Sequence, residues 1–90
     1  MSYTVKLHPQ VDKFLRKSDN ELSERIRNKL RLLIEEPFNN LEHYEGKDYY
    51  KLRIGDYRAL IDVDTSRKIT FVRYIDHRKR IYKRISGLPD

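Results

Sequence analysis

The chain contains no cysteine, which removes disulfide frameworks and thiolate metal sites from consideration and fits a reducing compartment. No apolar run approaches the length of a membrane span, and Met1 to Leu7 lacks the apolar core of a signal peptide. A soluble, intracellular, cytoplasmic protein is therefore expected. Internal repeats, low-complexity tracts and Gly/Ser linkers are also missing. At 90 residues a single domain over 1–90 is expected, with one modest core and any active site at its surface. The sequence has no Gly-rich phosphate loop, no nucleophile elbow and no usefully spaced pair of glutamates. His8 and His43 are isolated, without zinc spacing, and His8 reads as the entry to a helix. Asp62 and Asp64 share a strand face, but Asp64 to Arg67 reads more simply as a turn than as half of a metal pair. No metal and no cofactor are expected.

What the chain does have is positive charge. Formal net charge is +6 and the pI is near 9.7, a balance that draws polyanions through the summed field. The distribution says more than the total. From Arg67 to Arg84 the cations Arg67, Lys68, Arg73, Arg78, Lys79, Arg80, Lys83 and Arg84 face a single acid, Asp76.

Tyr3, Val5 and Leu7 alternate with Thr4 and Lys6, the period of a half-buried strand. Pro9 then suits the first position of a helix, continued by Val11, Phe14 and Leu15. Ser18, Asp19 and Asn20 interrupt it, and Ser18 with Glu21 predicts a capping box for a second helix. Its apolar stripe is Leu22, Ile26, Leu30, Leu33 and Ile34, with Pro37 as the expected stop. That stop would leave Glu35 and Glu36 unfavourably at a helix C-terminus. Phe38 to Lys47 reads as loop. Three strands are expected at Tyr49–Ile54, Tyr57–Val63 and Lys68–Ile75, joined by spacers short enough to force antiparallel hairpins. A short helix over Arg80–Ile85, with Ile81 and Ile85 on one face, closes the chain before Gly87 and Pro89. The expected fold class is α+β, ordered β-α-α-β-β-β, with a helical hairpin packed on one face of an antiparallel sheet and a short C-terminal helix.

Period-2 alternation in Tyr49–Ile54 sends Tyr50, Leu52 and Ile54 toward the helices and Tyr49, Lys51 and Arg53 to the open face. Arg58, just past the Gly55-Asp56 turn, is near enough to join them. Crowded cations repel unless an anion bridges them, which makes Lys51 a candidate general base. Spacing alone favours an ordinary solvated face. Asp76 to Arg84 interleaves cations with His77 and Tyr82, a pattern suited to single-stranded RNA, whose phosphates are held electrostatically and whose bases stack on rings. Arg78 could hold a phosphate, Tyr82 a base or a ribose hydroxyl, and His77 could move a proton or simply cap a strand end. Cations aimed at developing negative charge could support metal-independent cleavage of RNA.

Two stretches, Tyr50-Lys51-Leu52-Arg53-Ile54-Gly55-Asp56-Tyr57-Arg58 preceded by Gly46, and Ile75-Asp76-His77-Arg78-Lys79-Arg80-Ile81-Tyr82, carry a family likeness. In their order and spacing the chain resembles RelE-type toxins of the RelE/ParE superfamily, from type II toxin-antitoxin systems. The resemblance implies a messenger RNA interferase, an endoribonuclease that enters the ribosomal A site, lies against small-subunit ribosomal RNA and cuts the message there. It implies Lys51 as general base and Arg58 and Arg78 as phosphate holders. Arg53 stands where the best-known member has a second lysine, and Tyr82 matches a tyrosine that orients substrate. His77 adds an imidazole that some branches use, so Lys51 and His77 compete for the proton-transfer role. It also implies an acidic RelB-type antitoxin that wraps the toxin. Two alternatives share the fold: a ParE-like poison of DNA gyrase that cleaves nothing itself, and a degenerate toxin kept as an antitoxin-binding module.

Overall fold

The computed structural model describes residues 2–44 and 46–86, with side chains through 83. Strand β1 (Thr4–Leu7) leads into helices α1 (Pro9–Lys17) and α2 (Asn20–Arg31). A 3-10 turn at Pro37–Asn39 follows, then β2 (Glu42–His43), β3 (Tyr50–Ile54), β4 (Tyr57–Asp64), β5 (Ile69–His77) and α3 (Arg78–Ser86). The five strands form one sheet in the order β1-β5-β4-β3-β2. The expected meander β3-β4-β5 is present and antiparallel. The first strand joins its edge, but parallel to β5, with Thr4 against Ile69 and Leu7 against Val72. The sheet is thus mostly, not wholly, antiparallel. The helical crossover between β1 and the distant β5 is what permits a parallel pair.

Local chemistry explains the helix ends. His8 Nδ1 accepts from the Gln10 backbone N–H at 3.0 Å, satisfying one orphan donor beside Pro9. The expected Ser18–Glu21 box does not form. Ser18 instead ends α1, its hydroxyl donating to Phe14 O at 2.7 Å, and Asp19 caps α2 by accepting from Leu22 N at 2.8 Å. Asp and Ser are comparable caps, so the one-residue shift costs little in chemistry. Helix α2 stops at Arg31, well before Pro37, because Leu32, Leu33 and Ile34 tighten into i→i−3 bonds. Glu35 and Glu36 thereby leave the helix: Glu35 accepts from the Ser2 hydroxyl, and Glu36 accepts from Asn39 and Asn40 in the next turn.

Helices α1 and α2 cover one face. Val11, Leu15, Ile26, Leu30 and Leu33 pack on Leu52, Ile54, Ala59, Ile61, Val72 and Ile75. Each fully buried aliphatic side chain contributes roughly 1.5–3 kcal/mol relative to exposure. Leu52, Ala59 and Ile75 stand abreast across three strands. A bulge opposite Leu60/Ile61, with Arg73 left out of the pairing, keeps Val72 and Ile75 on the same face although they are three apart. Beyond Leu7 the β5 edge has no neighbouring strand among the described residues, and the Gln10 amide fills in, donating to Ile75 O and accepting from Ile75 N.

The far face is not left open, as the sequence suggested. Helix α3 lies across part of it, with Ile81 fully buried on Leu60 and Tyr44, Tyr49 and Tyr74 packed around them. Ile85, Gly87 and Pro89 lie outside the residues whose side chains are described.

Candidate active site

Two cross-strand rows build the site on the face away from α1 and α2. Lys51, Leu60 and Tyr74 form one, and Arg53, Arg58 and Asp76 form the next. Partners in an antiparallel register share a face, so three of the expected cations do stand side by side. The hairpin between them turns on Gly55, whose φ of 59° suits glycine. That turn also receives the C-terminal segment: Arg78 N donates to Asp56 O at 2.8 Å. The start of α3 is therefore tied to the β3–β4 hairpin.

The cations differ in their surroundings. Lys51 does not project freely: its side chain is 22% exposed, with Nζ 3.5 Å from Glu42 Oε2 and 5.4 Å from the centre of the Tyr44 ring. Arg53 is largely exposed and reaches the other oxygen of the same carboxylate, Nη1 to Glu42 Oε1 at 3.7 Å. Arg58 is buried, with only 4% of its surface exposed. Its Nη1 donates to Gly55 O at 2.6 Å and Tyr57 O at 2.7 Å, and its Nε finds no acceptor among the described residues. No carboxylate pairs with it among the described residues. Buried cations are ordinarily paired, so an anion-seeking charge sits beneath the hairpin turn.

Glu42, His43, Tyr44, Lys51 and Tyr82 line a shallow cleft. The Tyr82 side chain is exposed there, one position beyond the buried Ile81 that anchors the helix. Lys51 and Tyr82, far apart in sequence, thus share one surface depression. Arg78 is exposed in the first turn of α3, beside the hairpin.

His77 is placed differently. It pairs with Tyr57 on the sheet face toward α1, its ring 5.6 Å from that of Tyr57, which in turn packs on Phe14. Its Nδ1 accepts from Lys79 N at 3.3 Å, capping α3. The structure brings Lys51, Arg53, Arg58 and Tyr82 to one side with Arg78 at its rim, and turns His77 to the other. Asp76, the lone acid of the basic stretch, accepts from His77 N at 2.7 Å and lies 3.5 Å from Arg80. Asp62 and Asp64 are engaged by Arg73 and Arg67.

This architecture and sequence match known toxins. The family model for the ParE toxin of the type II toxin-antitoxin system, parDE, matches residues 5–82. The chain belongs to the RelE/ParE superfamily of toxins. The toxin of an archaeal RelE-RelB complex from Pyrococcus horikoshii is 29% identical, superposes with a TM-score of 0.74, and is covered over 99% of its length by 89% of this chain. The intact RelBE complex of Escherichia coli gives 26% identity and a TM-score of 0.69, over 84% of this chain and 96% of that one. The RelBE2 toxin-antitoxin complex of Mycobacterium tuberculosis, at 22% identity, shares the fold with a TM-score of 0.75 over 87% of this chain and all of that one. A search of curated proteins by sequence found no match.

Membership of this superfamily makes the chain a type II toxin. Among the described residues no helix is long and apolar enough to cross a membrane. Three members of the cleft, Glu42, His43 and Tyr44, are not among the residues that the sequence singles out for the site. They fall in what reads as loop, and β2 has only two residues, too few to show any period. The acid stands opposite Lys51 only because β2 pairs with β3, Glu42 against Lys51.

Proposed function

We propose that this toxin is a ribosome-dependent messenger RNA endonuclease that works without a metal ion in the cytoplasm, where translated messages are found. The observation that carries the reading is the meeting of Lys51 and Tyr82 in one cleft, with Arg53 beside Lys51 and Arg58 and Arg78 at the adjoining hairpin. Cleavage requires attack of a 2′-hydroxyl on the adjacent phosphorus, stabilisation of the added negative charge, and protonation of the departing 5′-oxygen. Arg58, buried without a counter-ion among the described residues, and Arg78 suit the charge-stabilising role, because donors in a partly dehydrated site act more strongly than in water. Tyr82 offers a ring for stacking and a hydroxyl toward the ribose. Lys51 is the better placed of the two proposed proton carriers, since His77 faces α1 with Nδ1 already engaged.

The partner we propose is an acidic, amphipathic antitoxin of the RelB type. A groove between β1 and α2, lined by Val5, Leu7, Leu30 and Ile34 and edged by Arg27 and Arg31, offers an apolar floor with a basic rim. Message in the ribosomal A site and small-subunit ribosomal RNA are the other partners of this reading.

The test is to express the toxin with and without an acidic partner and map breaks on translated and untranslated messages. Codon-phased cuts during translation are expected. Lys51→Ala and Arg78→Ala should each lower cutting by a factor on the order of 10² or more while leaving the fold intact. A folded double variant that still cuts would remove the site assignment. The family model's ParE label favours a second reading, a gyrase poison; intact messages with accumulating cleaved DNA would select it, and neither effect would select a binding module.

A further inference from the structure

Among the described residues Glu42 is the one acid lining the candidate cleft, and its carboxylate is shared: one oxygen lies 3.5 Å from Lys51 Nζ and the other 3.7 Å from Arg53 Nη1. A two-oxygen anion bridging two converging cations is the arrangement a phosphodiester would make with the same pair. We propose that Glu42 is a positioning residue that occupies the phosphate subsite of the free toxin, holding Lys51 and Arg53 together until an RNA phosphate displaces it. The inference rests on the endonuclease reading and adds to it a residue that sets RNA affinity.

Three features suit exchange rather than permanent pairing. Glu42 is half-exposed and each contact is long for an ion pair, so solvent screening keeps the association weak. Glu42 lies on β2, a two-residue strand at the sheet edge that pairs only with β3, so its side chain can swing into solvent without disturbing the core. Lys51 meanwhile stays located after the carboxylate leaves, because the Tyr44 ring holds its ammonium from another side. A polyanion brings several phosphates at once, and each one that replaces Glu42 also contacts neighbouring cations that the carboxylate cannot reach.

The displaced carboxylate opposes binding, so removing its charge should strengthen it. Binding of a 2′-O-methylated single-stranded RNA, which cannot be cut, is measured by fluorescence anisotropy at several salt concentrations for the wild type, Glu42→Gln, Glu42→Asp and Glu24→Gln. Glu24→Gln makes the same charge change on exposed α2, on the opposite side of the sheet. Glu42→Gln should bind about two- to five-fold tighter, the range expected for releasing a weak exposed ion pair. Its log K against log salt should steepen by about 0.7 for each cation freed to release a counterion. Glu42→Asp and Glu24→Gln should stay close to the wild type. Equal gains from Glu24→Gln and Glu42→Gln would overturn the proposal, reducing the effect to net charge. So would Glu42→Gln that cuts translated messages more slowly at unchanged affinity, since the carboxylate would then be serving the chemistry. A wild type that leaves translated messages intact would remove the endonuclease reading itself, whereas a wild type that cuts, with unchanged binding in Glu42→Gln, would remove the displacement step alone.

Discussion

At the scale of the residue, Arg58 concentrates the tension between stability and function. Its guanidinium is buried, bonds only to main-chain carbonyls and has no carboxylate partner among the described residues. Replacing an unpaired buried charge with an apolar group of similar length can be neutral or stabilising, while loss of its hydrogen bonds to Gly55 and Tyr57 opposes that gain. Arg58→Met should therefore change unfolding free energy by less than about 1.5 kcal/mol, and Arg58→Ala, which also leaves a cavity, should cost about 2–3 kcal/mol. On the proposed reading both lose RNA cutting. Urea denaturation checks the order, and a Met variant that falls by more than the Ala variant would make the guanidinium a structural anchor. Nothing in the sequence announces this burial. Alternation gives the face on which Arg58 lies, but whether its guanidinium folds back onto the hairpin carbonyls depends on tertiary packing.

At the scale of the element, α3 is a delivery device. Tyr82 reaches the cleft because Ile81 is driven onto Leu60 and the first turn is tied to Asp56. Ile81→Ala should loosen α3, costing about 2–4 kcal/mol if docking and folding are one cooperative event. On the proposed reading RNA cutting should fall further than that of Tyr82→Phe, because Tyr82 and the first turn shift together. Hydrogen exchange at α3 amides reports the loosening directly, and unchanged protection there would contradict this account. The elements also show what a sequence can disclose. Helices α1 and α2 and the meander were legible because each repeats a period several times. The capping shift from Ser18 to Asp19 was not, since both residues cap well. The early end of α2 was also hidden, because Leu33 and Ile34 keep a helical spacing although the chain has left the helix. β2 was invisible: two residues carry no period, and with it went Glu42. His77 was legible as a residue able to move protons but not as one facing α1, since its direction is set by the pairing with Tyr57.

At the scale of the whole molecule, the proposed reading assigns two surfaces to two tasks. The cationic cleft lies on the sheet face carrying α3, and the apolar groove of Val5, Leu7 and Ile34 lies between β1 and α2. Separate surfaces predict separable losses. Leu7→Asp with Ile34→Asp should weaken capture of an acidic amphipathic antitoxin at least tenfold, since both side chains are already partly exposed and their apolar contact is replaced by like charge. Isothermal titration measures the affinity, and cutting by the free toxin should be unaffected. Equal affinity in the double variant would move the antitoxin elsewhere.

The parallel pairing of β1 with β5 has a consequence for biosynthesis. Thr4 meets Ile69, so β1 waits for β5, more than sixty residues later in the chain, and loop closure over that span must precede its reward. A nascent chain halted before β5 holds the β3–β4 hairpin that carries Lys51 and Arg58, but neither the strand that carries Asp76 beside Arg58 nor the helix bearing Tyr82. On the proposed reading the site therefore stays incomplete until β5 and α3 have been made.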